Sequence, residues 1–269
     1  ELYKKTININ PEFYQAFRNL GTIYQAKGEF NLSVENYKKA ITINPIYPDA
    51  LNNLATVYKE KGDLDLAIKL YKKAIKILPS FTSAAYNLGI AFQEKGLYKN
   101  AIEAYKNAIL LDPFHKESYN NLGNIFQEKG ELDDAINLFR KALSINNNYA
   151  EAHYNLGNAL FEKENINDSI KSYKKALSLK NNYSEAYSNL GNALKEKGDL
   201  ESAISSYKKA IQLNSSFAEA HWNLSLVQLL TGDYDSGWDS YQWRTKKKDP
   251  KLPHCKPQTN EWDGGELEK

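Results

Sequence analysis

Methionine is absent from this 269-residue chain, and cysteine occurs once, as Cys255. A single thiol excludes an internal disulfide framework and fits a reducing compartment, so a cytoplasmic location is expected. Long apolar runs are also missing: Lys, Asn or Glu interrupts each one well short of the ~20 residues a membrane-spanning helix needs. A soluble protein without a membrane partner is therefore expected. The opening Glu1-Leu2-Tyr3-Lys4-Lys5 lacks the basic start and apolar stretch of a secretory signal. Neither sign of charge prevails, since 35 basic residues face 33 acidic ones for a net +2, and no footprint for nucleic acid results. No glycine-rich phosphate loop, paired cysteines or His-Glu-x-x-His motif is present. His115 and the His254-Cys255 pair have no partners at metal-ligand spacing, and His153 and His221 stand where other segments carry Phe17, Tyr119 and Tyr187. No catalytic residue, metal site or cofactor is expected.

What is present is a period. Gly21, Gly89, Gly123, Gly157 and Gly191 are separated by multiples of 34 residues, Ala55 and Ser225 fill the two remaining places, and leucine always precedes, from Leu20 to Leu224. Starting the unit at Tyr14 gives seven repeats, beginning at 14, 48, 82, 116, 150, 184 and 218 within residues 14–249, with residues 1–13 as the second half of an earlier unit. Apolar or small residues at the third, seventh, eighth, tenth and eleventh places form a helical stripe over the first 14 places, here helix A. Gly28, Gly62, Gly96, Gly130, Gly198 and Gly232 then mark a turn, where glycine takes the left-handed backbone that ends a helix. Glu164 alone departs, and the neighbouring Asn165 is expected to supply that conformation. The following helix B carries an aromatic at the twenty-fourth place of the repeat, from Tyr37 to Tyr241, and mostly alanine three residues on. Small residues let backbones approach while the rings fill the space between helices. Pro45, Pro79 and Pro113 close the first three repeats.

These Leu-Gly, Gly, Ala, Tyr, Ala and Pro places resemble the tetratricopeptide repeat (TPR) over residues 1 to about 246. The resemblance implies an all-α fold: a right-handed α-α superhelix, or solenoid, of paired antiparallel helices. It also implies a scaffold that binds protein, and no enzyme activity for this chain.

Helix A lines the inner surface of such a superhelix, and places 2, 6, 9 and 13 share one stripe of it. Place 6 is asparagine in every repeat: Asn19, Asn53, Asn87, Asn121, Asn155, Asn189 and Asn223. Place 9 adds Asn124, Asn158 and Asn192. Asparagine is a poor choice for an exposed mid-helix position, but its amide offers the donor and acceptor that a peptide backbone requires. A ladder of amides at fixed pitch can hold an extended polypeptide in the concave groove. The alternative is structural, with these amides bonding neighbouring helices across the repeat interface. Carboxylates flank the ladder at place 2 (Asp49, Glu117, Glu151, Glu185, Glu219) and place 13 (Glu60, Glu94, Glu128, Glu162, Glu196), giving an acidic, amide-rich groove. Lysine pairs such as Lys72-Lys73 fall on the outer face of helix B as solvated charge. The unbroken ladder, with phrases such as Asp49-Ala50-Leu51-Asn52-Asn53-Leu54-Ala55, resembles the repeat half of the O-linked N-acetylglucosamine transferases, in which such asparagines hold acceptor polypeptides.

All four tryptophans fall in the last fifth of the chain. Leu226, Leu229, Leu230 and Trp243 put apolar residues where earlier repeats are mostly solvated, and together with Trp222 and Trp238 they predict burial of repeat 7 against a downstream domain or a separate subunit. A terminal cap is the bland alternative. The stretch Gly232 to Arg244 resembles the end of the repeat region in bacterial proteins that fuse TPRs to a glycosyltransferase-like domain. On that resemblance residues 250–269, with Pro250, Pro253, Pro257 and Trp262-Asp263-Gly264, are a linker toward such a domain. The lack of methionine and the start within a repeat imply a piece of a longer protein. Self-association through the groove or the convex face stays open.

Overall fold

The computed structural model describes residues 2–246; the expected linker, His254, Cys255 and Trp262 lie outside them. The described residues form an all-α solenoid of fifteen helices and one closing 3-10 turn, divided into two compact units at Leu179/Lys180. The first unit holds α1 (Leu2–Ile9), α2 (Tyr14–Ala26), α3 (Phe30–Ile43), α4 (Pro48–Glu60), α5 (Leu64–Ile77), α6 (Thr82–Glu94), α7 (Tyr98–Leu111), α8 (Lys116–Glu128), α9 (Leu132–Ile145), α10 (Ala150–Glu162) and α11 (Ile166–Leu179). The second holds α12 (Ser184–Glu196), α13 (Leu200–Leu213), α14 (Ala218–Leu230), α15 (Tyr234–Tyr241) and the 3-10 turn Gln242–Lys246. No described helix is long and apolar enough to cross a membrane.

From α2 onward the helices pack in A–B pairs, and in the first unit each B helix also packs on the next A helix. The period in sequence is thus a period in packing. Each A helix ends the same way. The N–H just beyond the turn glycine returns to a carbonyl five residues back, as in Glu29 to Tyr24 and Asp63 to Tyr58, both 2.9 Å. That bond needs a left-handed residue, and the turn glycines supply φ between 75° and 85°. The expectation for the fifth repeat is corrected: Glu164 itself, not Asn165, adopts φ 61°. Asn165 is the next residue, and its N–H makes the returning bond to Leu160 at 2.8 Å. A side chain held left-handed costs roughly 1 kcal/mol. Glu164→Gly should therefore raise the stability of this turn by about that amount, seen as a higher denaturant midpoint; an unchanged or lower midpoint would contradict the assignment of strain.

The glycine at place 8 has a different purpose. A Cβ at Gly21, Gly89, Gly123, Gly157 or Gly191 would lie 2.6 Å from the ring at place 24 of the same repeat. Tyr37, Tyr105, Phe139, Tyr173 and Tyr207 can therefore lie flat against the A-helix backbone, and all are buried. Ala55 opposite the equally buried Tyr71 shows that one methyl is accommodated in the second repeat. The alanines at places 20 and 27, such as Ala67, Ala74, Ala101 and Ala108, have no exposed surface and set the close approach of neighbouring helices.

Burial also governs His153. Its Nε2–H donates to the Asn147 carbonyl at 3.0 Å, and loss of solvent around the ring pushes its pKa below the ordinary histidine value. The unfolded imidazole takes up a proton near pH 6.5 while the folded one resists it, so stability should fall as pH drops below about 6.5. His153→Phe, the side-chain type found at the same place as Phe17, should flatten that slope; an unchanged acid limb would mean that other groups set it.

Candidate polypeptide-binding face

In the first unit successive A helices touch one another more closely than successive B helices do, so the A helices line the inner side of its stack. The asparagines at place 6 lie on them, and all from Asn19 to Asn155 are half-buried. Their amides are partly engaged across repeats. Nδ2 of Asn87 donates to Oδ1 of Asn52 at 3.1 Å, Nδ2 of Asn121 to the Tyr86 hydroxyl at 3.2 Å, and Nδ2 of Asn155 to Oδ1 of Asn120 at 3.0 Å. Each bond runs from one A helix to place 5 of the A helix before it. The carbonyl oxygens of Asn87 and Asn155 have no partner among the described residues. Asn19 instead accepts from Arg18 Nη1 at 3.0 Å, and Asn53 sits beside Asn52 at 3.3 Å. In the second unit Asn189 is half-buried, and Asn223 is buried and donates to Oδ1 of Asn192 at 2.9 Å. One edge of the ladder amides thus joins repeats, and at Asn87 and Asn155 the acceptor edge has no partner among the described residues.

The tyrosine hydroxyls at place 24 extend this polar seam, a role that sequence inspection did not assign. Tyr37 and Tyr71 bond Thr22 and Thr56 at 3.1 and 3.0 Å, and Tyr173 and Tyr207 donate to Asn158 and Asn192 at 2.9 and 2.7 Å. The signal was available: a hydroxyl at place 24 accompanies a polar place 9 in these four repeats. Phe139 lacks the hydroxyl, and Asn124, which it faces across the repeat, has no hydrogen-bond partner among the described residues. Burial raises the pKa of these phenols, that of Tyr71 to about 12, so they stay neutral donors at ordinary pH.

The flanking carboxylates are less free than their number suggests. Glu60 accepts from Gln25 Nε2 at 3.1 Å, Glu94 pairs with Lys59 at 3.2 Å, and Glu162 accepts from Gln127. At place 2, Glu117 is held by Lys116 and its carboxyl titrates below the usual range despite partial burial.

Repeat 7 divides the six residues marked for a junction. Trp243 stacks on His221 with ring centroids 4.0 Å apart and receives Lys246 on its face. Trp222 meets Tyr241 at 5.0 Å, and Leu229 lies where a Cβ on Gly237 would fall, 2.7 Å away. These three are engaged inside the unit. Leu226, Leu230 and Trp238 are exposed, the last two by 70% and 60%. Among the described residues no group of three His, Cys, Asp or Glu side chains could hold a metal ion.

The TPR repeat profile matches residues 21–62, 55–96, 123–164, 157–198 and 191–232, and Tetratricopeptide repeat profiles match 83–115 and 104–137. The chain belongs to the tetratricopeptide-repeat family. This TPR chain is similar to the crystal structure of MamA, at 31% identity with a TM-score of 0.56, covering 62% of this chain and 97% of that one. It is also similar to YrrB, described as a TPR protein with an unusual peptide-binding site: 22% identity, TM-score 0.57, 70% of this chain and 96% of that one. Against the APC/C hetero-tetramer Cut9-Hcn1 the TM-score is 0.72 at 19% identity, over 84% of this chain but only 45% of the other. The last two likenesses show the fold alone. No curated protein matches the chain. The TPR fold is suited to protein binding, and none of the comparisons links this chain to a glycosyltransferase.

Proposed function

We propose that this TPR chain binds an extended polypeptide along its A-helix face, through backbone hydrogen bonds to the place-6 asparagines. The observation that carries the reading is the division of labour within the ladder amides. At Asn87 and Asn155 the N–H group secures the preceding repeat while the carbonyl oxygen keeps an open acceptor. Peptide N–H groups of a ligand are the natural complement, whatever its side chains. The YrrB description, a TPR protein with a peptide-binding site, agrees with this use of the fold. Alanine at Asn87 and Asn155 tests it, since capture of unstructured peptides should fall while helix content persists.

The exposed Leu226, Leu230 and Trp238 support a second contact on unit 2, with a neighbouring domain or subunit. The resemblance of residues 232–244 to TPR–glycosyltransferase-like fusions makes such a domain its first candidate occupant, to which the groove would present substrates. A free-standing scaffold would use the same three residues to dock a separate subunit.

A further inference from the structure

One stretch of the groove departs from the ladder. At α6 and α8 a pocket of about 410 Å³ is lined by Ile90, Gln93, Glu94, Tyr98, Tyr105, Asn121 and Glu128. Three substitutions make it. Tyr86 at place 5 stands where α4 and α8 carry Asn52 and Asn120. At the same place α6 and α8 are less closely joined than α4 and α6 or α8 and α10. Ile90 replaces the polar residue that receives the phenol in other repeats, so the Tyr105 hydroxyl turns to Gln93 Oε1 at 2.8 Å. Tyr98 brings a hydroxyl to place 17, which is Phe, Leu or Ile in the other described repeats of this unit.

The outcome is an unusual Glu128. The place-13 carboxylates of α4, α6 and α10 each bond the place-12 side chain of the preceding repeat. Glu128 makes no such bond with Gln93 and has no ion-pair partner among the described residues. Its neighbour is the Tyr98 hydroxyl, which hydrogen-bonds the carboxylate and whose pKa that charge raises. A carboxylate at the last residue of a helix is disfavoured by the helix dipole, and here the neighbouring repeat offers it a neutral hydroxyl and no cation among the described residues. Glu94 on the same wall is already matched by Lys59 at 3.2 Å, so the pocket carries one unneutralised negative charge over an aliphatic and aromatic floor. That combination suits a cation on an apolar stem.

We propose that this pocket is a specificity subsite that takes one lysine or arginine side chain of the bound polypeptide, with Glu128 as its counter-ion and Ile90 and Tyr105 along its stem. The proposal rests on the groove being a polypeptide site, and it adds a side-chain preference to a grip otherwise indifferent to sequence. The test is selection of unstructured peptides from a random library on the full chain, its Glu128→Gln and Glu128→Lys variants, and a ladder variant with alanine at Asn87 and Asn155. Glu128 is exposed, so neither charge change threatens the fold. The wild-type chain should enrich Lys or Arg at one register position. Glu128→Gln should weaken a selected peptide about tenfold, and Glu128→Lys should remove the basic preference. Peptides that bind, and depend on the ladder, but show no basic preference or the same preference in Glu128→Gln overturn the subsite and leave the groove reading standing. Failure of any peptide to bind overturns both.

Discussion

Tyr173→Ala should destabilise the chain by about 3–5 kcal/mol, the loss usual for deleting a buried aromatic side chain. The ring is 1% exposed, and it lies so close to the α10 backbone that a Cβ on Gly157 would come within 2.6 Å of it. Neither helix can close over the gap, because alanines of zero exposure at Ala159 and Ala176 already set their approach. Removing the phenol also strips Asn158 of the hydroxyl that donates to it at 2.9 Å. Tyr173→Phe isolates that last part and should cost only about 1 kcal/mol, as the native Phe139 at the same place implies. Since each repeat of a solenoid leans on its neighbours, the loss should appear first as faster amide exchange in α10 and α11. A Tyr173→Ala variant within about 1 kcal/mol of the parent would contradict this account of the core.

That core was legible in sequence, and the reason is physical. Leu156, Gly157, Tyr173 and Ala176 report the face that each helix turns toward its own partner, and local periodicity records facing. The turn glycines were equally readable because a left-handed residue is needed at one place per repeat. Glu164 was misassigned to its neighbour because an asparagine next to a glutamate is the better left-handed residue on propensity alone, yet the returning bond from the Asn165 N–H fixes which of them must turn. Pairings between repeats were not legible. Asn155 meets Asn120 and Asn121 meets Tyr86 by the offset between stacked A helices, which no single helix encodes. The tryptophans misled in part for the same reason: Trp243 stands at a formerly solvated place, but His221 and Lys246 enclose its ring from within the unit. The placing of the asparagines on one stripe of the A helices was thus legible in sequence, while the share of each amide already committed to the fold emerged only from the structure.

The second large effect concerns binding. Alanine at both Asn87 and Asn155 removes two rungs, each able to make a backbone hydrogen bond worth roughly 0.5–1.5 kcal/mol. Together they should weaken capture of an unstructured peptide by about 2 kcal/mol, or about 30-fold. The same change breaks the bonds to Asn52 and Asn120, so some stability is lost with it. A matched control severs those two bonds from the other side: Asn52→Ala with Asn120→Ala removes the acceptors and leaves both rungs in place.

The decisive measurement is therefore fluorescence anisotropy of one labelled unstructured peptide titrated with three chains, the parent and these two double variants, alongside their thermal unfolding. Both variants should unfold at lower temperature than the parent, and only Asn87→Ala with Asn155→Ala should lose affinity, by about 30-fold. Equal affinity in all three chains, or an equal loss in both variants, would show that the asparagines join repeats and do not hold a polypeptide.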